Sequence, residues 1–126
     1  MNRILVSGTI AYDYIMDFPD TFRRHIMPDQ MHILNVCFNV DTLKKSLGGT
    51  AANIAYSLKL LGTEPLILAC AGNDFAPYKK HLTAHHISTQ YIKTFDDVAC
   101  SLYSAVTDQD DNQIGSYFIG AMKHAI

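Results

Sequence analysis

Hydrophobic positions change their period along the 126-residue chain, and each change predicts a different element. Ile4 to Val6 is a short apolar run of the kind that forms a buried strand. From Ala51 to Leu61 the apolar residues recur at helical spacing, which predicts a helix that begins with Thr50 as its N-cap. Pro65 to Ala71 is apolar throughout and is typical of a strand covered on both faces by helices.

The same alternation continues, more weakly, in the next part of the chain. Phe75 to His85 has a helical pattern, and Thr89 to Ile92 has a short extended one. Strands and helices therefore follow one another through the first three quarters of the sequence. This order predicts an α/β fold built on a parallel sheet.

Four other segments are predicted to be extended and lie outside this alternation. The clearest is the second, in which Leu34, Val36 and Phe38 take one face and polar residues the other, as in a half-buried strand. The last two flank a polar turn centred on Asp110. The four segments are approximately residues 11–18, 31–40, 100–107 and 113–119.

The turn determines which residues of the last two segments face each other. If that hairpin is symmetric about Asp110, Tyr103 lies directly opposite Tyr117 on one face of the sheet. Two neighbouring rings are compatible with a platform on which a ligand stacks, and equally with ordinary cross-strand packing. The positions alone leave both interpretations open.

Composition narrows the functional classes. With 48% hydrophobic and 17% charged residues, the chain can bury a core and form one domain. A formal charge of −2 provides no electrostatic surface for nucleic acid, and no apolar run approaches the roughly 20 residues of a membrane span. The amino terminus has no signal-peptide core, and Cys37, Cys70 and Cys100 suit free thiols in a reducing compartment. We therefore expect a cytoplasmic protein with no nucleic-acid or membrane partner.

The strongest candidate for a binding site is the segment Gly48-Gly49-Thr50-Ala51-Ala52-Asn53, where a helix begins. Glycines allow a ligand to approach the backbone, and the first turn of a helix offers free N–H donors. Asn53 can both donate and accept, so the segment suits sugar hydroxyls or an anion. The alternative is a loop that needs glycine only for its turn. The pattern matches neither the Walker phosphate loop nor the dinucleotide-binding fingerprint.

Asp13 is the second candidate, because it is a carboxylate inside an otherwise apolar extended run. A buried carboxylate requires a partner, and one at a strand end can accept hydrogen bonds from two neighbouring hydroxyls. The alternative is an ordinary turn or edge aspartate. His81, His85 and His86 are better explained as a solvated helix end than as metal ligands, and Asp108 to Asn112 as a hairpin turn than as a calcium loop. We therefore expect no metal site.

Four motifs together resemble the ribokinase-like carbohydrate kinases. They are Gly8 followed by Asp13, Gly48-Gly49-x-x-x-Asn53, Leu61-Gly62 and Gly72-Asn73-Asp74, in this order and spacing. The resemblance extends over essentially the whole chain. Within the family the chain is most similar to bacterial adenosine kinases, and the stretches that carry this similarity are residues 7–13, 38–55 and 116–122.

The resemblance implies a fold and a set of substrate contacts. The fold is the N-terminal part of an α/β three-layer sandwich with a small antiparallel β lid, made of the four extended segments. Relatives often pair their lids, so a homodimer through the lid is implied. The implied substrate-binding residues are Thr9 and Asp13 at the sugar hydroxyls, Gly48, Gly49 and Asn53 around the ribose, and Tyr103 and Tyr117 against the base.

The resemblance also implies what the chain lacks. Members of this family are much longer, and their catalytic base, anion hole and most of the ATP pocket lie in the later part. The complete enzyme is expected to use ATP and Mg²⁺ to phosphorylate the 5′-hydroxyl of adenosine, and this chain alone is expected to be inactive. Two alternatives remain: a ribokinase- or fructokinase-like sugar kinase, and a truncated, non-catalytic module for nucleoside binding or dimerisation.

Overall fold

Two sheets organise the protein, and the computed structural model describes them over residues 2–125. Three short 3₁₀ helices, Phe22–Arg24, Pro28–Ile33 and Gly120–His124, lie in the connections. The regular elements are β1 (Arg3–Ser7), β2 (Ala11–Asp17), β3 (Thr42–Gly48), α1 (Thr50–Leu60), β4 (Glu64–Ala71), α2 (Ala76–Ala84), β5 (Ile92–Thr94), β6 (Ser101–Thr107) and β7 (Gln113–Phe118).

The first sheet is parallel throughout and has the strand order β1-β4-β5. Helices α1 and α2 connect its strands, so the α/β fold predicted from the alternating pattern is confirmed. Val6 and Ile67 join buried residues of both helices in one core cluster. The contact surface of α1 consists of small residues, which allows the helix to approach the strands closely. These residues are Ala51, Ala52 and Ala55.

The opposite face of this sheet is open within residues 2–125. Leu5 pairs with Leu66, and Leu68 follows two residues later on the same face. Leu5 is 60% exposed and Leu68 47% exposed. Within the described part of the chain this strand is therefore covered on one face only, and cover on both faces stays a prediction for the complete fold. The covered face is the one that carries Val6 and Ile67, and both described helices contribute to that same core cluster.

The second sheet, which we call the lid, has four strands in the order β3-β2-β6-β7. β2 pairs antiparallel with β3, and β6 antiparallel with β7, but β2 and β6 are parallel. The lid is therefore a mixed sheet and not a purely antiparallel one. The reason is topological: β2 follows core strand β1 and β6 follows core strand β5, so both strands leave the core in the same direction.

The predicted strand over residues 31–40 is wrong. Pro28–Ile33 forms a 3₁₀ helix, and the lid strand begins only at Thr42. The alternating apolar residues have another use, because Phe38 packs its ring against Phe18 and Phe22 at centroid distances of 4.9 and 4.8 Å. Phe38 therefore belongs to an aromatic cluster, and residues 34–40 do not pair in the sheet.

The start of α1 also differs from its prediction. Gly49 is the N-cap residue and Thr50 the first residue of the helix. No side chain caps this end, because the carbonyl of Thr9 accepts a hydrogen bond from the Ala51 N–H at 3.1 Å. A backbone carbonyl of the neighbouring loop thus satisfies one of the free N–H groups in the first turn of α1. In the described part of the chain, no helix is long and apolar enough to cross a membrane.

Candidate functional site

The site begins where the loop before β2 meets the loop before α1. Gly49 has φ of 92°, a left-handed conformation that favours glycine. A β-carbon on Gly49 would also overlap the carbonyl group of Thr9. The backbone conformation and the close approach therefore both require glycine, and together they hold the two loops against each other.

Gly48 provides the space for the carboxylate of Asp13. Asp13 pairs with Ser46 on β3, and Gly48 follows two residues later on the same face. A β-carbon on Gly48 would overlap the Asp13 carboxyl group. Desolvation by burial raises the pKa of Asp13 above its ordinary value of 3.8. The structure thus brings Asp13, Gly48, Gly49 and Thr9 into one place at the base of the lid.

A straight row of side chains crosses the lid from this point. Asp13 lies opposite Ser46 on one side and Tyr103 on the other, and Tyr103 lies opposite Tyr117. Residues directly opposite one another point to the same face, and neighbouring strands are about 4.8 Å apart. The predicted pairing of Tyr103 with Tyr117 is confirmed. Tyr103 is half-buried and Tyr117 is 55% exposed.

Asn53 lies at a different point from this row. Its N–H donates to the Gly49 carbonyl at 3.2 Å, so it sits one helical turn into α1, where it is exposed. It lines a cavity of about 220 Å³ together with Tyr56, Tyr78 and His81. Asp13 and the two tyrosines of the row are not among the residues that line this cavity.

Two tyrosines that the sequence pattern does not mark as site residues join the lid to the core. The Tyr78 hydroxyl donates to the Gly48 carbonyl at 2.5 Å, and the Tyr12 hydroxyl donates to the Asp74 carbonyl at 2.7 Å. Burial raises the pKa of Tyr12 to about 12 and that of Tyr78 well above its usual range. Both hydroxyls therefore stay protonated as donors at neutral pH. The available signal was Tyr78 and Leu82 at helical spacing, since a buried tyrosine hydroxyl needs a partner.

The Gly72-Asn73-Asp74 motif contacts the chain where it passes from the core sheet into lid strand β6. The Asp74 carboxylate accepts a hydrogen bond from the Cys100 N–H at 2.7 Å, and the Gly72 N–H donates to the Cys100 sulfur at 3.1 Å. A β-carbon on Gly72 would overlap the backbone of Ala99 and Cys100. Burial raises the pKa of the Cys100 thiol to about 12. In this structure the motif braces the strand that carries Tyr103.

The remaining polar clusters are structural. The Asp108 carboxylate accepts hydrogen bonds from the N–H groups of Phe22, Asp110 and Asn112, which anchors the β6–β7 turn. His85 Nδ1 lies 2.9 Å from the His81 carbonyl at the C-terminal end of α2. Over residues 2–125 no group of three or more His, Cys, Asp or Glu side chains could hold a metal ion.

Comparison with known proteins identifies the family. The sequence profile of the pfkB family carbohydrate kinases matches residues 13–124. A nucleoside kinase from Methanocaldococcus jannaschii is 30% identical over 98% of this chain and 38% of its own length. Its crystal structure, described as an archaeal member of the ribokinase family, superposes with a TM-score of 0.83 over 98% of this chain and 39% of the solved chain.

Two further relatives extend the comparison. The structure of a Burkholderia thailandensis nucleoside kinase in complex with inosine is 37% identical, with a TM-score of 0.80, over 96% of this chain and 38% of the solved chain. An ATP-dependent 6-phosphofructokinase from Thermoanaerobacterium thermosaccharolyticum is 41% identical over 61 residues, 47% of this chain and 19% of its own length. The chain thus spans well under half of each relative. It belongs to the pfkB family of carbohydrate kinases and has their ribokinase-like α/β fold.

Proposed function

We propose that this chain is the acceptor-binding part of a nucleoside kinase. In the complete enzyme the 5′-oxygen of the nucleoside attacks the γ-phosphorus of ATP, the bond to the β–γ bridging oxygen breaks, and the hydroxyl proton passes to a base. A purine nucleoside is the acceptor, with adenosine as the first candidate. The observation that carries this proposal is the row of Asp13, Tyr103 and Tyr117 across the lid.

The spacing of that row fits a nucleoside better than a free sugar. An ionised carboxylate only accepts hydrogen bonds, so Asp13 suits two vicinal hydroxyls of a ribose. Tyr103 lies one strand away, about 4.8 Å, and Tyr117 about 10 Å away, which is where an attached base would extend. Aromatic rings bind bases by stacking, without hydrogen bonds to particular base atoms. A free pentose would leave both rings without a contact.

The glycines and Thr9 complete the sugar side of the site. Because Gly48 and Gly49 have no side chains, the ribose can approach the backbone beside Asp13. Thr9 lies against Gly49 and lines the same corner. Asn53 lies one turn into α1 and lines the separate cavity with Tyr56 and Tyr78, so in this proposal its side chain reaches the ribose from outside this corner.

In this proposal, the residues that bind the phosphates of ATP lie in the parts of the relatives that this chain does not match. Those parts would supply the base and most of the ATP pocket, so residues 1–126 alone bind the acceptor without phosphorylating it. Cys37, Cys70 and Cys100 are free thiols, which suits a reducing cytoplasm.

A homodimer through the lid is part of the same proposal. The face opposite Asp13 carries exposed apolar residues on the two outer strands, β3 and β7. Exposed apolar surface of this kind is typical of interfaces between subunits. Its exposed members include Leu43 on β3 and Ile114 and Phe118 on β7.

A sugar kinase is the second candidate. The observation in its favour is the 41% identity over 61 residues to a 6-phosphofructokinase. A sugar kinase would use Asp13, Gly48 and Gly49 in the same way but would gain nothing from Tyr103 and Tyr117. The two candidates therefore differ in their response to changes at the tyrosines.

The experiment compares acceptors in the protein at the full length that its gene encodes. ATP-dependent phosphorylation is measured with adenosine, inosine, ribose and fructose 6-phosphate, in the wild type and in Asp13→Asn. Asp17→Asn is the matched control, because Asp17 lies on the same strand and face, and its carboxylate accepts a hydrogen bond from Thr42. We expect a nucleoside to be the best acceptor, and only Asp13→Asn to lose activity, by more than about tenfold. A preference for a sugar, or an unchanged Asp13→Asn enzyme, would contradict the proposal.

A further inference from the structure

Gly115 lies beneath the ring of Tyr103. It is on β7, where it pairs with Ala105, and it precedes Tyr117 by two residues on the same face. A β-carbon on Gly115 would be 2.9 Å from the Tyr103 hydroxyl oxygen and 3.1 Å from its Cε2 atom. The hydroxyl end of Tyr103 therefore extends diagonally over β7, in the space that a side chain at position 115 would fill.

The backbone does not explain a glycine at this position. The glycines with positive φ values are Gly8, Gly49, Gly62 and Gly120, and Gly115 is not one of them. It lies in the middle of a paired strand, where glycine is less favourable than most residues. Gly62 is the contrasting case, since its φ is 81° and no atom lies within 4 Å of its potential β-carbon. At Gly115 the feature that requires a missing side chain is the Tyr103 ring.

We propose that Gly115 is a specificity-determining position that selects nucleosides over free sugars. Without a side chain at 115, the Tyr103 ring lies across β7 and shares one surface of the lid with Tyr117. This surface receives the base, while Asp13 holds the sugar two strands away from β7. The inference rests on the proposed function and assigns the base contact to a space created by one glycine.

A substitution at Gly115 should separate base binding from sugar binding. A methyl group there forces the hydroxyl end of Tyr103 to move, because contacts near 3 Å are too short for carbon and oxygen. Asp13, Gly48 and Gly49 do not contact position 115, so the sugar contacts remain as they are. The strand itself should form at least as well, since alanine and valine suit strands better than glycine.

The first test examines the geometry without a ligand. The α-protons of Gly115 should show an upfield ring-current shift in the NMR spectrum of the wild-type chain. Tyr103→Leu should remove that shift while the amide signals of β6 and β7 otherwise keep their pattern. An ordinary Gly115 shift that Tyr103→Leu leaves unchanged would overturn the inference.

The second test measures selectivity in the complete protein. Dissociation constants for inosine and for D-ribose are compared in the wild type, Gly115→Ala and Gly115→Val, with Ser116→Ala as the control on the opposite face of β7. We expect inosine affinity to fall about three- to tenfold in Gly115→Ala and further in Gly115→Val, with ribose affinity unchanged. Ser116→Ala should match the wild type for both ligands.

The outcomes distinguish this inference from the function on which it rests. A wild type that prefers inosine, together with Gly115 variants that keep the full preference, overturns the role of Gly115 and leaves the nucleoside kinase proposal intact. A wild type without any preference for inosine over ribose overturns both. Equal losses for inosine and ribose in the Gly115 variants also overturn the inference, because they indicate a general disturbance of the lid.

Discussion

The carboxylate of Asp13 occupies the space that a side chain on residue 48 would need. Residue 48 is a glycine in extended backbone, so its conformation would accept other residues. The restriction therefore comes from Asp13, and it makes the two positions dependent on each other. Both residues belong to the corner that we propose as the sugar-binding part of the site.

Gly48→Ala should destabilise the protein through Asp13 alone. Overlap of the new methyl group with the carboxylate is expected to cost about 1–3 kcal/mol in the free energy of unfolding. In an Asp13→Ala background the same substitution should cost less than about 0.5 kcal/mol, because the overlapping group is gone. Urea unfolding of the four proteins measures this coupling, and additive costs would show that the two residues do not interact.

Asp13→Asn should strengthen the fold and weaken binding. The pKa of Asp13 is raised by burial, so the folded state holds this proton more tightly than the unfolded state does. Stability from this group is present at low pH and is lost as the pH rises above 3.8 through the raised pKa. At neutral pH the asparagine variant should therefore unfold at a higher urea concentration than the wild type.

Nucleoside affinity should rise with pH, whereas the stability that Asp13 contributes falls. Only the ionised carboxylate accepts hydrogen bonds from both sugar hydroxyls, so nucleoside affinity should rise as Asp13 loses its proton. Asp13→Asn should abolish that rise and cost about 1.5–3 kcal/mol of binding free energy at neutral pH. Calorimetric titrations between pH 4 and pH 7 test this, and an identical profile in the variant would remove Asp13 from the site.

Tyr78→Phe should cost more stability than Tyr12→Phe. Both substitutions remove one hydroxyl that bonds to a carbonyl, but the Tyr78 bond is buried and the Tyr12 bond is exposed. An acceptor left unpaired in the interior costs about 1–3 kcal/mol, whereas an exposed carbonyl can bond to water. Urea unfolding of the two variants gives the comparison. Equal losses would mean that the Gly48 carbonyl finds another partner.

Thiol reactivity should separate the three cysteines. Cys37 is exposed, whereas Cys70 and Cys100 are buried, and burial raises the pKa of Cys100 to about 12. Because the thiolate is the reactive form, a disulfide reagent at pH 8 should modify one thiol quickly in the folded chain and all three in denaturant. Cys37→Ser should abolish the fast reaction. A second fast thiol in the native protein would contradict the buried position of Cys100.

Self-association of the 126-residue chain should involve two separate surfaces. Leu5 and Leu68 are exposed on the open face of the core sheet. Ile114 and Phe118 are exposed on the face of the lid opposite Asp13. Glutamine at Leu5 and Leu68 should remove assemblies larger than a dimer, and glutamine at Ile114 and Phe118 should weaken the dimer. Sedimentation velocity at matched concentrations distinguishes the two effects. A wild-type chain that remains a compact monomer at high concentration would contradict both.

The local sequence pattern was sufficient to predict the main elements of the core and the β6–β7 hairpin. The apolar run of β4 and the helical spacing of α1 involve residues that are close together in the sequence. The sequence alone therefore predicts the bounds of both elements to within a residue or two. Symmetry about Asp110 placed Tyr103 opposite Tyr117 for the same reason. The binding roles of these tyrosines and of Asp13 stay predictions.

Tertiary contacts decided the positions that the sequence analysis missed. β3 is an edge strand that contains Lys44, Lys45 and other exposed residues. Its polar composition is typical of an edge strand and gave no apolar pattern from which a strand could be predicted. Phe38 fits the alternating pattern of a strand, but it is apolar because it packs on Phe18. The bond from Tyr78 to Gly48 joins two elements far apart in the chain, and no local rule predicts such a pair.

The parallel pairing of β2 with β6 affects how the protein is made. β2 can pair with β3 soon after both leave the ribosome, but its other edge has no partner until β6 is synthesised. Domains form as translation proceeds, and pairings between distant segments form slowly because a long loop must close first. A nascent chain therefore carries an open strand edge beside Asp13, a known route to aggregation. The strands that carry Tyr103 and Tyr117 are the last part of the lid to form, so chaperone dependence should be greatest before residue 118 emerges.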